Sequence, residues 1–444
     1  MADRTVKNPK LGLALLRELM VDPARFSSDE EVLSEYLEPG ADPDNLLAVL
    51  HPRSKQDVEK VLEVARSYGL SAYTPIPWGL NPPRTGFVID FKYMADIKGI
   101  DTRNLFLEIE PGVTWEQLLP ELASAGVRVA LPAAAKSPYV LESALEREIV
   151  LPASSYANRQ FSTFHAVLAD GREYRSGADA LPDSVSHWRE DGGPNISRVF
   201  SGSRNSFGIP VRGFIYLYPQ PETRKVVVLG LPNRKSACLL AQRAARSEIG
   251  TEIVLVNKLK ARGVLGQDPG LSTWSVAFGL DGPARLVQYR QKRLDRYAVE
   301  LKLKPRKGAA KVAKSFTASL DGPWYAPPVS LGFYTNWSRV EELSLVVEKA
   351  LKAKGKLAQM VLPVKRGASV YLQYDVKDGT RDASTAVRRL LPRLADRGAF
   401  FVNPTGSLAA HIFASQPEYL RLLKDTKRFM DPENILNSGQ VVEV

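Results

Sequence analysis

The stretch "AYTPIPWGLNPPRTGFVIDFKYM", Ala72 to Met94, decides how the N-terminal half of this chain is interpreted. Its second half predicts a buried strand, because Phe87 to Ile89 are apolar and continue past Asp90 into further apolar residues. Its first half follows a predicted helix and strand, where many folds place a glycine-rich ligand loop. This loop instead holds one glycine and four prolines, which offer no backbone N–H. It is therefore a ligand loop, a replaced ligand loop or a rigid turn.

The composition is that of an average globular protein, with 44% hydrophobic and 25% charged residues among 444. That length predicts two or three domains, or one large two-lobed unit. No apolar run reaches the ~18 residues of a membrane span, and the N-terminus lacks the pattern of a signal peptide. The single cysteine, Cys238, excludes an internal disulfide and a cysteine metal cluster. We expect a reducing, cytoplasmic compartment.

The formal net charge of +11 indicates either a well-solvated surface or anionic partners. The densest basic stretch, Leu301 to Ser315, has no interleaved aromatic residues, which predicts an exposed loop rather than a nucleic-acid surface. None of the four histidines pair at metal-ligand spacing, so no metal site is predicted. The motifs of serine hydrolases, P-loop NTPases and zincins are missing from the sequence.

Local patterns divide the chain into an N-terminal helical segment (1–45), a mixed lobe (46–220), a second lobe (221–400) and a C-terminal segment (401–444). In the mixed lobe, Ser54 is a suitable N-cap for a helix that Gly69 ends. Strands and helices alternate in the second lobe, which predicts an antiparallel sheet backed by helices. The fold class is α+β.

Five segments occur in an order that resembles one family. They are "LLAVLHPRSKQDVEKVLEVARSYGLSAYTPIPWG", "GFVIDFKYMADIKGIDTRNLFLEIEPGVTWEQLLPELASAGV", "VLADGREYRSG", "GPNISRVFSGSRNSFGIPVRGFIYLYPQPE" and "FMDPENILNSGQ". The sequence resembles the FAD-linked oxidases and dehydrogenases of the vanillyl-alcohol-oxidase and p-cresol-methylhydroxylase (PCMH) type. The resemblance implies a lobe that grips FAD, a cap with an antiparallel sheet over the flavin ring, and a C-terminal segment that returns to the first lobe. The flavin would supply the redox chemistry on a hydroxy acid or aromatic alcohol.

The resemblance also implies positions for site residues. The cap strand and the C-terminal segment supply three catalytic candidates, Tyr371, Tyr374 and His411. The first loop and a later Gly/Ser turn supply the cofactor-binding candidates, which are Trp78, Gly79, Gly202, Ser203, Gly208 and Ile209.

The chain departs from the family pattern where FAD phosphates should lie. The first loop has prolines and Trp78 where the family has glycines, whose backbone N–H groups approach phosphate closely. The second loop, from Ser137 to Gln160, contains no glycine and adds three carboxylates, those of Glu142, Glu146 and Glu148. Negative charge at that place opposes diphosphate binding.

The third turn keeps Gly202, Ser203 and Gly208, but Arg204 and Asn205 replace the acidic and glycine residues that are usual there. These departures predict a family member whose flavin site is lost or altered. Ordinary FAD binding, and a different fold around a rigid proline connector, stay open.

Two classes of function follow from the resemblance. The first is a flavin-free subunit that pairs with a catalytic flavoprotein paralogue, or with copies of itself. The alternative is an active FAD-dependent oxidase or dehydrogenase with an unconventional flavin cradle, acting on a small molecule. A third hypothesis is that the emptied cleft binds another anion, such as a CoA thioester or a nucleotide. No nucleic-acid partner is expected.

Overall fold

The computed structural model describes residues 8–38, 40–76, 79–152, 161–181, 192–266, 270, 273–380 and 382–442. The N-terminal lobe begins with two helices and then mixes short strands with helices. In chain order its elements are α1 (Pro9–Leu19), β1 (Phe26–Ser27), α2 (Glu30–Ser34), β2 (Leu46–Leu50), α3 (Lys55–Tyr68), β3 (Ser71–Tyr73), β4 (Gly86–Ile89), β5 (Ile97–Asp101), β6 (Phe106–Ile109), α4 (Trp115–Ser124), β7 (Val127–Arg128), α5 (Val140–Leu145), β8 (Phe161–Val167), β9 (Glu173–Arg175), α6 (Ser197–Phe200), β10 (Ile209–Tyr216) and β11 (Tyr218–Pro219).

Two sheets form the framework of this lobe within the described ranges. The first has the order β1-β2-β4-β3, and β4 lies parallel to both β2 and β3. The second has the order β5-β6-β10-β8-β9 and is antiparallel. Strands β8 and β9 pair as a hairpin across the "ADG" turn at residues 169–171.

Helix α3 shows why the sequence folds as predicted between β2 and β3. The Ser54 side chain accepts the Asp57 N–H at the start of the helix, and Gly69 ends it in the left-handed conformation with φ of 70°. Its apolar residues recur at helical spacing and are buried against the first sheet. The first loop therefore begins at a fixed point, the end of β3.

The cap follows and contains a sheet of seven strands among the described residues, in the order β15-β12-β14-β13-β17-β18-β16. Every adjacent pair is antiparallel. The cap elements are β12 (Thr223–Leu231), α7 (Arg234–Arg246), β13 (Glu252–Asn257), α8 (Lys258–Leu265), β14 (Trp274–Gly282), α9 (Ala284–Glu300), β15 (Arg306–Lys307), α10 (Ala310–Leu320), β16 (Ser330–Thr335), α11 (Val340–Leu351), β17 (Lys356–Val364), β18 (Ser369–Lys377) and α12 (Ala383–Ala395).

The two faces of the cap sheet have different neighbours. Helices α7, α9, α11 and α12 cover one face and form the largest apolar core with it. The other face packs against α8, α10 and a part of the N-terminal lobe that includes Ala133, Ile149 and Leu151. The predicted α+β fold, with a cap of antiparallel sheet backed by helices, is confirmed.

One prediction for the cap is wrong. The basic stretch from Leu301 to Ser315 is not simply an exposed loop, because it contains β15 and the start of α10. Helix α10 forms because Val312, Phe316 and Leu320 recur every four residues and are buried beneath the sheet, while the lysines face outward.

The C-terminal segment contains α13 (Gly406–Ala414) and α14 (Pro417–Met430) and then lies beside β3. The Ala72 N–H donates to the Ile435 carbonyl at 2.7 Å, and the Asn437 N–H donates to the Ala72 carbonyl at 2.9 Å. Fully buried Lys427 donates to Asp431 at 2.5 Å and holds the turn after α14. Along the described ranges, no helix combines the length and apolarity that a membrane crossing requires.

Candidate functional site

The described part of the first loop donates its backbone N–H groups within the protein. Thr74 donates to the Asn437 side-chain oxygen at 2.9 Å, and Gly79 and Leu80 donate to the carbonyls of Ile76 and Tyr36. Gly79 has φ of 83°, and a Cβ there would lie 2.4 Å from the Glu38 backbone nitrogen. This glycine is therefore required by packing. Trp78, predicted to line a cofactor site, lies outside the described residues.

The second loop forms the short helix α5 and is held by its own carboxylates. Glu148 accepts the Lys136 backbone N–H at 2.9 Å with one oxygen and the Ser143 hydroxyl at 2.8 Å with the other. Glu142 accepts the Ser137 hydroxyl at 2.6 Å. Glu142 and Glu148 therefore accept hydrogen bonds from donors in the same loop or directly before it.

The third turn is joined to the second by a third glutamate. Glu146 accepts the Arg204 backbone N–H at 2.9 Å with Oε1, and its Oε2 lies 3.2 Å from the Arg204 Nε. Both residues are buried, with 3% and 5% of their surfaces exposed. The Gly202 N–H donates to the Leu145 carbonyl at 2.9 Å. A carboxylate therefore lies where the turn presents its backbone donor.

We call Lys136, Glu142, Glu146, Glu148 and Arg204 the glutamate cluster. It sets three carboxylates against two cations in a largely buried place, which leaves one surplus negative charge when all five are ionised. Burial raises the pKa of Glu142 to about 7, and it also raises the pKa of Glu148. Burial lowers the pKa of Lys136 to about 8. The cluster therefore changes its protonation near neutral pH.

On the cap side, buried polar groups of β18 and α8 form a chain of hydrogen bonds. The Tyr371 hydroxyl donates to Gln373 at 2.6 Å, Gln373 donates to Asp375 at 3.0 Å, and Lys260 donates to Asp375 at 2.6 Å. Burial raises the pKa of Tyr371, and Tyr334 and Asp375 add to that increase. Tyr371 packs in the same apolar core as Ile149, the residue that follows Glu148 in the second loop.

The other two catalytic candidates are not brought to this interface. Tyr374 lies on the opposite, helix-covered face of the sheet, where its hydroxyl donates to Ser344 at 2.6 Å. Because side chains alternate between the faces along a strand, Tyr371 and Tyr374 are separated by the sheet itself. His411 lies on the exposed surface of α13 and pairs with Asp396 at 2.7 Å.

The remaining cofactor-binding candidates surround the third turn. Gly202 has φ of 79° and lies against the side chains of Arg147 and Asn403. Ser203 is buried, and its hydroxyl has no hydrogen-bond partner among the described residues. Gly208 packs against the Phe200 ring, and Ile209 is fully buried as the first residue of β10. They lie together in the turn that connects α6 to β10.

Comparison with known proteins connects these features to one family. Residues 46–177 match the family model described as "FAD binding domain". Glycolate oxidase subunit GlcD of Bacillus subtilis (strain 168) is 26% identical over 189 residues, which is 41% of this chain and 39% of that protein. The 1'-carboxy-chondrochloren decarboxylase of Chondromyces crocatus is 25% identical over 238 residues, 50% of this chain and 43% of the relative. The chain matches less than half the length of each relative.

The whole fold matches solved structures. p-Cresol methylhydroxylase with bound substrate has a TM-score of 0.83 at 17% identity, and the match covers 98% of this chain and 97% of that one. The 4-ethylphenol oxidase of Gulosibacter chungangensis has a TM-score of 0.82 at 17% identity and covers 99% and 98% of the two chains. The chain therefore shares the fold of p-cresol methylhydroxylase, and residues 46–177 resemble an FAD binding domain.

FAD is the cofactor that this family implies, so the donor set can be tested against its diphosphate. A diphosphate needs backbone N–H groups, hydroxyls or cations. The buried hydroxyls of Ser203 and Ser206, which have no hydrogen-bond partner in the described chain, would suit it. The N–H groups of Thr74, Lys136 and Arg204 already donate to side chains of this chain. As it stands, this arrangement does not fit a diphosphate held by the loops in the family manner.

Sequence reasoning identifies the three glutamates and misses their partners. Arg204 enters the sequence prediction only as a departure from the family pattern, and neither Lys136 nor Asn437 enters it. Lys136, directly before the glycine-free acidic segment, was the available signal. Within the described ranges, no three His, Cys, Asp or Glu side chains are grouped so that they could hold a metal ion.

Proposed function

We propose that this PCMH-type chain does not hold FAD in the family manner and works as a subunit beside a catalytic flavoprotein paralogue. The observation that carries the proposal is the pair of hydrogen bonds from the Arg204 and Lys136 backbone N–H groups to Glu146 and Glu148. In both, a carboxylate of the chain takes a donor that a phosphate oxygen would use.

Electrostatics support this proposal. Two like charges about 4 Å apart repel by about 4 kcal/mol at an effective dielectric constant of about 20. A diphosphate brought beside Glu146 and Glu148 would therefore lose binding energy to the carboxylates and would also have to displace them from their donors. Breaking a buried ion pair such as that of Glu146 and Arg204 is itself costly.

The surface of the C-terminal helix supports the subunit role. Leu422 and Phe429 on α14 are 65% and 85% exposed, and their spacing of seven residues places them on one face of the helix. Exposed apolar side chains grouped on one face are typical of a surface that a partner covers. One of the relatives, GlcD, is itself a glycolate oxidase subunit.

An active FAD-dependent oxidase or dehydrogenase is the second candidate. The FAD binding domain match over residues 46–177 favours it, as do the unsatisfied hydroxyls of Ser203 and Ser206. In that case the glutamates would have to leave their donors, and Arg147, Lys136 and Arg204 would receive the phosphates. Tyr371 would then be the cap residue best placed to orient a small substrate, since its hydroxyl belongs to the buried polar chain.

The two candidates are separated by measuring flavin. The purified full chain is incubated with excess FAD, desalted and examined by absorption, and released flavin is quantified. The subunit proposal expects no flavin bands, whereas bound FAD at near-stoichiometric occupancy would favour the active enzyme.

The partner is tested by co-expression with an FAD-containing chain of the same family from the same genome. Co-elution of the two chains in size-exclusion chromatography is expected, and Leu422→Asp with Phe429→Asp should abolish it. Separate elution of the two wild-type chains would contradict the subunit role.

A further inference from the structure

A cavity of about 450 Å³ lies between the N-terminal lobe and the end of the cap sheet where β12 and β13 begin. Its volume is within the range of small-molecule sites. It is separate from the glutamate cluster, because none of its lining residues belongs to that cluster. Its walls are mainly apolar. They come from α4, from β7 and the residues after it, and from the segment after α5, and they include Leu119, Leu122, Val127, Val129, Leu131 and Leu151.

One end of the cavity is charged. Arg224 donates to Glu252 Oε1 at 3.2 Å and lies 3.2 Å from Asp281 and 3.5 Å from Asp321. Arg128 pairs with Asp281 at 2.6 Å. We call these five residues the carboxylate end. Two cations face three carboxylates, so the carboxylate end has one surplus negative charge when all are ionised.

Two atoms of the carboxylate end, Glu252 Oε2 and Arg224 Nε, are buried without a hydrogen-bond partner among the described residues, and Glu252 is the acceptor of the two. It is 4% exposed and lines the cavity, yet its Oε2 has no hydrogen-bond partner among the described residues. The orientation depends on Gly279, since a Cβ at that glycine would lie 1.9 Å from Oε2. A buried carboxylate oxygen without a donor is costly, and burial accordingly raises the pKa of Glu252. A cationic donor would supply what the oxygen lacks.

We propose that this cavity is a binding site for a small amphipathic cation, a primary amine with an apolar tail. The ammonium group would lie at the carboxylate end, where the Glu252 side chain would turn Oε2 away from Gly279 to accept its hydrogen bond, and the tail would lie against the leucines of α4. A charged donor satisfies a buried carboxylate and cancels its surplus charge, which a neutral or anionic ligand of the same shape does not. The site goes beyond the proposed function and does not depend on it.

The test is calorimetric titration of the full chain with n-hexylamine, compared with 1-hexanol and hexanoate. Hexylamine should bind about tenfold more tightly than hexanol, a ratio that corresponds to about 1.4 kcal/mol. Butylamine should bind more weakly, by about fourfold for each methylene removed. Equal binding of amine and alcohol, tighter binding of hexanoate, or no binding of the amine would overturn the proposal.

Two variants and a control locate the binding. Glu252→Gln should lower the affinity for hexylamine about tenfold and leave hexanol unchanged. Ala123→Trp, at an exposed residue of α4 that lines the cavity, should weaken both ligands without disturbing the core. Glu418→Gln, at an exposed residue of α14, should change neither affinity. Unchanged hexylamine affinity in Ala123→Trp would place the binding elsewhere, even if Glu252→Gln failed to fold.

Discussion

The glutamate cluster and the carboxylate end have the same composition, three carboxylates and two cations, but differ in how their carboxylates are satisfied. In the glutamate cluster, Glu146 and Glu148 accept backbone N–H groups of the turns that surround them. At the carboxylate end, Glu252 keeps one oxygen without a donor and lines an open cavity. The first arrangement is closed by the protein itself, and the second leaves a place for a ligand.

A shared fold therefore does not by itself decide where a ligand binds. The glutamate cluster lies in segments to which the sequence resemblance assigns a diphosphate, and the backbone N–H groups of Lys136 and Arg204 already donate to it. The carboxylate end lies where β12 and β13 begin in the cap sheet, and its unmet hydrogen bond is the feature that indicates binding.

The largest expected effect is that of Glu146→Ala. The substitution leaves the Arg204 guanidinium with Glu142 at 3.8 Å as its remaining carboxylate in the cluster and leaves the Arg204 N–H without its acceptor. The free energy of unfolding should fall by about 3 kcal/mol. Denaturant titration measures it. As a control, Glu418→Ala breaks an exposed pair with Arg421 and should change the free energy of unfolding little. If Glu146→Ala lowers that free energy no more than the control does, the glutamate cluster does not hold the turns.

The glutamate cluster should also give stability a characteristic pH dependence. The folded-state pKa of Glu142 is raised to about 7, so the folded chain holds a proton that the unfolded chain has lost, and stability falls as pH rises from about 4.5 to 7. The folded-state pKa of Lys136 is lowered to about 8, so the unfolded chain binds the extra proton between about 8 and 10.5, and stability rises there.

Denaturant titrations from pH 5 to 10 test this curve. Each tenfold difference between the acid dissociation constants of the folded and unfolded chains corresponds to about 1.4 kcal/mol of stability, before solvent screening. Glu142→Gln keeps an acceptor for the Ser137 hydroxyl and should make the falling limb shallower, leaving the part that comes from Glu148 and leaving the rising limb unchanged. A falling limb of unchanged depth in Glu142→Gln would assign it to other groups.

Glu252→Gln should have a smaller effect on stability than any change in the glutamate cluster. Arg224 keeps Asp281 and Asp321 as partners, and the substitution removes a buried surplus charge. The free energy of unfolding should change by less than about 1 kcal/mol. A loss comparable with that of Glu146→Ala would mean that Glu252 is structural, and the contrast between the two groups would fail.

The smallest effect is expected for His411→Ala. The side chain is exposed and pairs with Asp396 on the surface, so its removal should change stability by about 0.5 kcal/mol or less. Hexylamine affinity and the pH profile should also stay as they are in the wild type. A change in either readout would return His411 to the candidate site.

The sequence was sufficient for the fold because its signals are local and occur in order. Ser54 and Gly69 bound a helix, the β8–β9 hairpin follows a turn pattern, and alternation along Ser369–Lys377 predicts two faces of a cap strand. The missed helix α10 had a signal too, the spacing of Val312, Phe316 and Leu320, but the dense lysines around it indicated a solvated loop.

The site was less predictable because its interactions join distant parts of the chain. Arg204 meets Glu146 from 58 residues away, and Asn437 meets Thr74 from 363 residues away. The sequence shows three glutamates in the second loop, but it does not show which backbone N–H groups their carboxylates accept. The cavity beside Glu252 arises only when α4 and the cap edge come together, so no single motif encodes it.

The flavin content of the purified full chain after incubation with excess FAD tests the central claim most directly. Because the N–H donors of two turns already bind Glu146 and Glu148, the chain should show no flavin absorption after desalting, while far-ultraviolet circular dichroism shows that it is folded. Stoichiometric FAD on the folded chain would contradict the claim, since the glutamates would then have left those donors to the diphosphate.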